Sequence, residues 1–298
     1  MRRHTHACFL TGATGWVGAK VAAELIAAGH QVSGLARNTD KAQTLLAAGG
    51  QVVSGTLDDH TLLFDAASRA DAVIHTAFNH DFSRFAENCE QDRSAIEVMG
   101  EALLGSDRPL LVTSGLARLV QGRPATEKDK PVSAPDYLRR SELAAQALVE
   151  KGVRAASVRL APTVHGVGDH GFIPILIALA KKTGVSAWPG EGNNRWAAVH
   201  RLDAAKLYRL ALESGVTETV YHAVAEEGIA MREIAIAIGN MLGLPAESRS
   251  ADHFGWFATF AAADMSASSE RTRDVLSWHP EQRDLLTDLA DAGYYANS

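Results

Sequence analysis

The chain has 298 residues, 46% of them hydrophobic and 21% charged, the balance of a soluble globular protein with room for one large α/β core. A formal net charge of −6 with no basic run argues against nucleic acid, whose binding neutralises phosphates with Lys and Arg. The two cysteines, Cys8 and Cys89, exclude a disulfide framework and have no metal-ligand spacing, so no metal is expected.

The start of the chain, basic and then briefly apolar, runs into glycines and reads as a buried strand rather than a leader. No apolar run approaches the ~20 residues of a membrane helix, so a cytoplasmic protein without membrane contact is expected. Residues 7–11 read as a strand, 17–29 as a helix, 31–36 as a strand and 39–48 as a helix. Strand 52–54, helix 61–70 and strand 72–75 follow. Then come helix 94–104, strand 110–113, helix 135–151 and strand 154–160. This alternation predicts a doubly wound parallel sheet, a Rossmann fold, over residues 1–165.

From Gly166 the rhythm breaks. Helices are expected at 173–183, 203–214, 231–242 and 284–292, with a Gly/Asn-rich loop at 189–194 and a short strand at 220–223. Residues 166–298 are expected to form a smaller substrate-binding lid at the carboxyl edge of the sheet, with some segments returning to it.

The segment Thr11-Gly12-Ala13-Thr14-Gly15-Trp16-Val17-Gly18 follows one predicted strand and opens a predicted helix. Gly12 permits the tight turn, Gly15 lets backbone N–H groups approach a pyrophosphate, and Gly18 allows close helix–strand packing. The helix N-terminus adds unsatisfied donors and a positive dipole end. NAD-binding chains place an acid at the end of the second strand. This chain has Leu35-Ala36-Arg37-Asn38, and Arg37 can pair with a 2′-phosphate, so NADP(H) is the cofactor expected.

TGATGWVG, together with VSGTLDD at 53–59, VIHTAF at 73–78, LVTSG at 111–115, RLAPTVHG at 159–166 and WAAVHRLDAA at 196–205, resembles the short-chain dehydrogenase/reductase superfamily in its extended, epimerase/dehydratase-like branch. By that resemblance Gly12, Thr14, Gly15, Trp16, Val17 and Gly18 surround the pyrophosphate. Arg37 takes the 2′-phosphate, Thr56 and Leu57 face the adenine, Ala77 lines the ribose, and Pro162 and Val164 the nicotinamide. The family has an aspartate where Thr56 stands, so the adenine contact here is expected to be weaker or to run through backbone.

The resemblance implies a Ser/Thr with a Tyr-x-x-x-Lys pair, and here the chain departs from it. Gly115 occupies the serine place, while Leu138 and Glu142 occupy those of tyrosine and lysine. The expected catalytic groups are Tyr137, one residue early, with Ser114 and Thr113. On a helix, Arg140 and Ser141 would share the face of Tyr137. Two other readings stay open: Tyr137 as a packing residue, and a cofactor-binding protein that transfers no hydride. Phe78, Asn79, His80, Phe82, His165, Phe172 and Trp188 are candidate substrate contacts, each also explicable by packing. Ser114 with His165 does not suggest a hydrolase, because no G-x-S-x-G elbow is present.

Without the lysine, Tyr137 keeps a pKa near 10 and stays a proton donor. An NADP(H)-dependent reductase of a small aldehyde or ketone is therefore expected. The alternatives are a nucleotide-sugar epimerase or dehydratase and a non-catalytic NADP(H)-binding redox sensor. A homodimer is compatible with the sequence.

Overall fold

A computed structural model describes residues 5–38 and 40–295, and the side chains of Lys41 and Phe82 lie outside the description. In chain order, β1 (Ala7–Thr11), α1 (Gly18–Ala27), β2 (Gln31–Ala36), α2 (Gln43–Ala47) and β3 (Gln51–Ser54) form the first βαβαβ run. Next come α3 (His60–Arg69), β4 (Ala72–His75), α4 (Phe85–Glu101), β5 (Leu110–Gly115), α5 (Ser141–Glu150) and β6 (Ala155–Leu160). The second half contains β7 (Thr163–His165), α6 (Phe172–Thr183), β8 (Ser186–Pro189), β9 (Arg195–His200) and α7 (Arg201–Glu213). It closes with β10 (Val220–Ala223), β11 (Glu226–Ala230), α8 (Met231–Leu242), β12 (Ala246–Arg249), α9 (Ala258–Ala262), α10 (Glu270–Leu276) and α11 (Leu285–Leu289).

Seven strands make one parallel sheet in the order β10-β6-β5-β4-β1-β2-β3. The order reverses between β1 and β4, and ligands of open α/β sheets bind at the carboxyl side of such a switch point. The expected doubly wound fold is the one observed. α1 and α7 pack together on one face, and α3, α4 and α5 on the other. The strands are buried on both faces, as parallel strands are. Cys8, Leu10, Ile74, Leu111 and Tyr208 build one core, while Phe9, Val73, Val112, Met99 and Leu148 build the other.

The second half is not set apart from the sheet. β10 is its outermost strand, beside β6, and α7 covers β1 and β5 with α1. Beyond these, β11-β9-β7 and β12-β8 form two small sheets around Trp196, Ile177, Ile234 and Phe257. β7, β8, β9, β11 and β12 have three to six residues each, too short to show a period against their loops. Among the described residues no helix is long and apolar enough to cross a membrane.

Three predicted helices are corrected, and a fourth starts differently. The helix expected over 135–151 starts only at Ser141. Residues 135–140 stay irregular, and there Arg139 and Arg140 give side-chain N–H groups to the carbonyls of Thr113 and Ala134. The helix expected over 94–104 begins earlier, at Phe85, and the one at 284–292 shortens to Leu285–Leu289. The helix expected from residue 39 is a 3-10 turn, Asp40–Ala42, followed by α2, and Thr39 lies outside the described residues.

The α4–α5 seam is close-packed: a methyl group at Gly100 would run into the Leu148 side chain. Leu148→Ala opens that seam, and we expect a loss of about 2–5 kcal/mol in urea unfolding. A loss well under about 1 kcal/mol would show that the seam contributes little.

Candidate active site

The glycine loop joins β1 to α1 at the switch point. Gly12 has φ +73°, and a Cβ there would lie 2.6 Å from the Ala77 nitrogen and 2.7 Å from Thr76 Oγ1. A Cβ on Gly18 would strike the Gly12 carbonyl and Thr76 Oγ1. These two positions therefore admit only glycine, and they press α1 against β1 and the end of β4. Thr14 and Gly15 are exposed, and a Cβ on Gly15 would meet only the Gly12 carbonyl oxygen, so the outer side of the turn is open. That open backbone at a helix N-terminus fits a dinucleotide pyrophosphate. Val17 is the N-cap of α1 and has no side-chain cap of its own.

Trp16 does more than border the loop. Its indole Nε1 donates to the Val164 carbonyl at 2.8 Å, tying the loop to β7. The Arg201 guanidinium lies 3.9 Å from its ring centroid, and His170 meets it edge-on. Trp16, Val164 and the adjoining Pro162 thus come together, all half-buried.

At the adenine end, Arg37 is exposed just past the end of β2 and has no hydrogen bond or ion pair among the described residues. Thr56 Oγ1 donates to Asp59 Oδ2 at 3.0 Å, and the same oxygen accepts the Thr56 backbone N–H. Leu57 is 9% exposed and packs in the core with Phe9 and Leu35. The Thr56 hydroxyl and N–H and the Leu57 side chain are thus all committed within the protein.

The strand alternation of β5 separates the two expected hydroxyls. Thr113 points to the α7 side, donates to the His75 carbonyl at 2.7 Å and bonds Tyr208 Oη at 2.6 Å. With its proton on the carbonyl, it takes the tyrosine proton, and the hydroxyl is saturated. The catalytic role expected of Thr113 is therefore corrected to a structural one. Ser114 points to the α5 side and lines a small, partly enclosed pocket with Gly115, Tyr137, Arg139, Glu142 and Leu143. Leu138, at the family's tyrosine position, faces solvent.

Tyr137 sits on the irregular segment before α5, so the helical argument linking it to Arg140 and Ser141 fails. Arg140 turns to the Ala134 carbonyl, and Ser141 Oγ donates to Asp92 Oδ2 at 2.5 Å. The cation beside Tyr137 is Arg139, which nothing in the spacing singles out. Burial pushes the Tyr137 pKa up, Arg139 pulls it down, and Glu142 and Cys89 push it up further.

Glu142 stands where the family has lysine, and the charge is inverted there. Its carboxylate takes Arg159 Nε at 3.0 Å on both oxygens and Nη2 at 2.5 Å, and Ser114 Oγ reaches Oε2 at 3.5 Å. Arg159 is fully buried and gives its other N–H groups to the Thr126 and Asp129 carbonyls and to His222 Nε2. Burial, and to a lesser degree Arg159, push His222 down to about 4, partly opposed by Glu127, so its ring is neutral and accepts.

Of the expected substrate contacts, Phe78 lies in the loop after β4 under the Arg139 guanidinium, whose Cζ is 4.3 Å from the ring centroid. Asn79 is exposed, and its side chain accepts the Asp81 N–H at 3.1 Å. His165 is corrected: it is fully buried, with Nδ1 2.7 Å from Asp288 Oδ2 and Nε2 3.8 Å from Glu226, so it presents no surface to a ligand. Trp188 is on β8, half-buried against Gly192 and Arg232 rather than in the Ser114–Tyr137 pocket. Phe172 stacks with Trp196, Phe257 and Phe260 in the aromatic core. Among the described residues no group of three or more His, Cys, Asp or Glu is placed to hold a metal.

Residues 8–224 match the model of the NAD dependent epimerase/dehydratase family. The chain is 45% identical over 292 residues to an uncharacterized protein of Schizosaccharomyces pombe, a span of 96% of this chain and 99% of that one. It is 27% identical over 268 residues to a 4-hydroxy-2-methyl-3-oxo-4-farnesyl-3,4-dihydroquinoline-1-oxide ketoreductase of Stigmatella aurantiaca, covering 83% of this chain and 79% of the other. In fold it is similar to the crystal structure of the Thermus thermophilus UDP-glucose 4-epimerase in complex with NAD. The TM-score is 0.76 at 18% identity, with 98% of this chain and 100% of that chain covered. The glycine loop at the switch point and the match across most of the sheet lead to one conclusion: the chain belongs to the NAD-dependent epimerase/dehydratase family, in the extended branch of the short-chain dehydrogenase/reductases.

Proposed function

We propose that this chain is an NADP(H)-dependent reductase of a small aldehyde or ketone. One observation carries the reading: Tyr137 and Ser114 line the same pocket, at the carboxyl end of β5 and two strands from the glycine loop. The similarity to a ketoreductase agrees with it.

When bound, the nicotinamide supplies a hydride to the carbonyl carbon. The residues of the chain must hold the carbonyl and deliver a proton to its oxygen. Tyr137 is suited to the second task, because a pKa pushed above its ordinary value of 10 keeps the phenol protonated through the neutral range. The same shift makes it a poor base for alcohol oxidation, so reduction is the favoured direction. Ser114 leans its proton toward Glu142, which leaves its oxygen able to accept a hydrogen bond from a substrate donor. Glu142 cannot take the lysine's part, being an anion held by Arg159.

Arg37 supports NADP(H) over NAD(H), since an exposed guanidinium with no partner among the described residues suits a 2′-phosphate. Arg37→Ala is expected to weaken NADPH binding about 10- to 100-fold, the range of a lost charged hydrogen bond, with NADH binding unmoved. Equal effects on the two coenzymes in a fluorescence titration would remove Arg37 from the selection.

Tyr137→Phe is expected to lower turnover of carbonyl substrates about 100-fold or more while NADPH still binds. Unchanged turnover would take Tyr137 out of the reaction. In the wild type the raised pKa predicts a reduction rate without an alkaline fall from this group below about pH 10, whereas alcohol oxidation rises with pH toward that point. A titration of the reduction rate centred near pH ~7 to 8 and lost in Tyr137→Phe would contradict this assignment.

A further inference from the structure

We propose that the Ser114–Tyr137 pocket takes a carbonyl compound that carries a carboxylate, with the Arg139 guanidinium as the partner of the anion. The proposal names the substrate class for the reductase reading and rests on that reading for the carbonyl. Its anion-binding half stands on Arg139 and its surroundings, whatever the reaction.

Arg139 is held in place without being neutralised. Its plane lies over the Phe78 ring at 4.3 Å, Nε donates to Ser141 Oγ at 3.0 Å, and Nη2 donates to the Thr113 carbonyl at 3.3 Å. Among the described residues Nη1 has no hydrogen-bond partner, and no carboxylate lies within ion-pair distance of the guanidinium. A guanidinium offers five N–H groups, so the two on Nη1 and a second on Nη2 remain for a ligand.

The carboxylates nearby are already engaged. Glu142, in the same pocket, is matched by the buried Arg159 through three contacts of 2.5 to 3.0 Å. Asp92 is reached only through Ser141, and its oxygens accept from Ser141 at 2.5 Å and from His75 Nε2 at 3.0 Å. Arg118 and Asp136 pair with each other near the mouth. The positive charge facing the pocket is thus that of Arg139, half-buried and without a counter-ion among the described residues. Partial burial of an unpaired cation is unfavourable, and a bound anion offsets it.

A second feature points the same way. α5 starts two residues after Arg139, has ten residues and lacks a side-chain N-cap, and Leu143 of its first turn lines the pocket. Its open N–H groups and positive dipole end add to the field of Arg139. The Arg139 charge also works against protonation of His80, in the loop after β4, behind the larger effect of burial there. A fixed, planar fork favours a carboxylate taken bidentately, and Leu119, Val132 and Leu143 supply apolar surface for a short carbon chain.

The test is a titration of the NADP+-loaded protein at low salt with 2-oxobutanoate, 3-oxobutanoate and 4-oxopentanoate, each against its methyl ester. The expected result is at least tenfold tighter binding of the acid in one or more pairs, with the preference erased in Arg139→Gln. Equal binding of acid and ester in all three pairs, or a preference that survives in Arg139→Gln, overturns the proposal. If Arg139→Gln does not fold, Arg139→Lys decides, because it keeps the charge and loses the fork. A severalfold drop in preference supports the proposal, and no drop overturns it. Tyr137→Phe separates the two readings. It should keep the acid preference while losing turnover; turnover that persists takes Tyr137 out of the reaction, and no NADPH-dependent turnover of any of the three acids by the wild type refutes the reductase, each leaving the anion site standing.

Discussion

Asp92, buried on α4, accepts hydrogen bonds from two directions at once, and the reaction side of the molecule is arranged around it. One oxygen takes His75 Nε2 at the end of β4, and the other takes Ser141 Oγ at the start of α5. His75 Nδ1 in turn meets Thr11 Oγ1 at 2.7 Å, at the mouth of the glycine loop, and Ser141 Oγ receives Arg139 Nε. A buried carboxylate requires such partners, because leaving its oxygens unsatisfied is costly. The consequence is geometric: the chain of bonds sets where α5 begins and which way Arg139 faces, and it joins the cofactor loop to the pocket.

Within that frame the pocket reverses the electrostatics that the family's lysine would supply. Glu142 occupies the lysine position and is balanced from below by Arg159, while a cation reappears from Arg139, approaching from the loop. Tyr137 is likewise delivered by the loop and not by the helix. Burial pushes the thiol of Cys89 up to about 11, so it is no competing nucleophile at neutral pH. The inverted arrangement favours a protonated phenol, and with it proton donation over proton abstraction.

The second half of the chain secures the loop from the other side. Trp16 hangs from the Val164 carbonyl and is covered by Arg201, the first residue of α7. Behind β7, His165 is bonded to Asp288 on α11, and Asp169 accepts the Tyr294 hydroxyl from the C-terminal turn. Burial raises the Asp169 pKa against the pull of that hydroxyl and of the Gly171 N–H. The residues expected to touch substrate from this side, His165 and Trp188, hold the segments together.

Strands and glycines were legible in the sequence because their signals are local. β1, β2, β4, β10 and α8 fall at the expected residues, since a period of 2 or 3.6 records burial on neighbouring turns of chain. Gly12 and Gly18 are readable for the same reason: the clash they avoid is with their own loop and the adjacent strand end. The split between Thr113 and Ser114 was also present in the alternation of β5, which puts Leu111 in one core and Val112 in the other. The tertiary structure decided the rest. The Arg139 bond to Thr113 spans 26 positions, the Trp16 bond to Val164 spans 148 and the His165 bond to Asp288 spans 123. Such hydrogen bonds depend on distances that only packing sets, so they can bring Tyr137 beside Ser114 and leave one guanidinium facing the pocket.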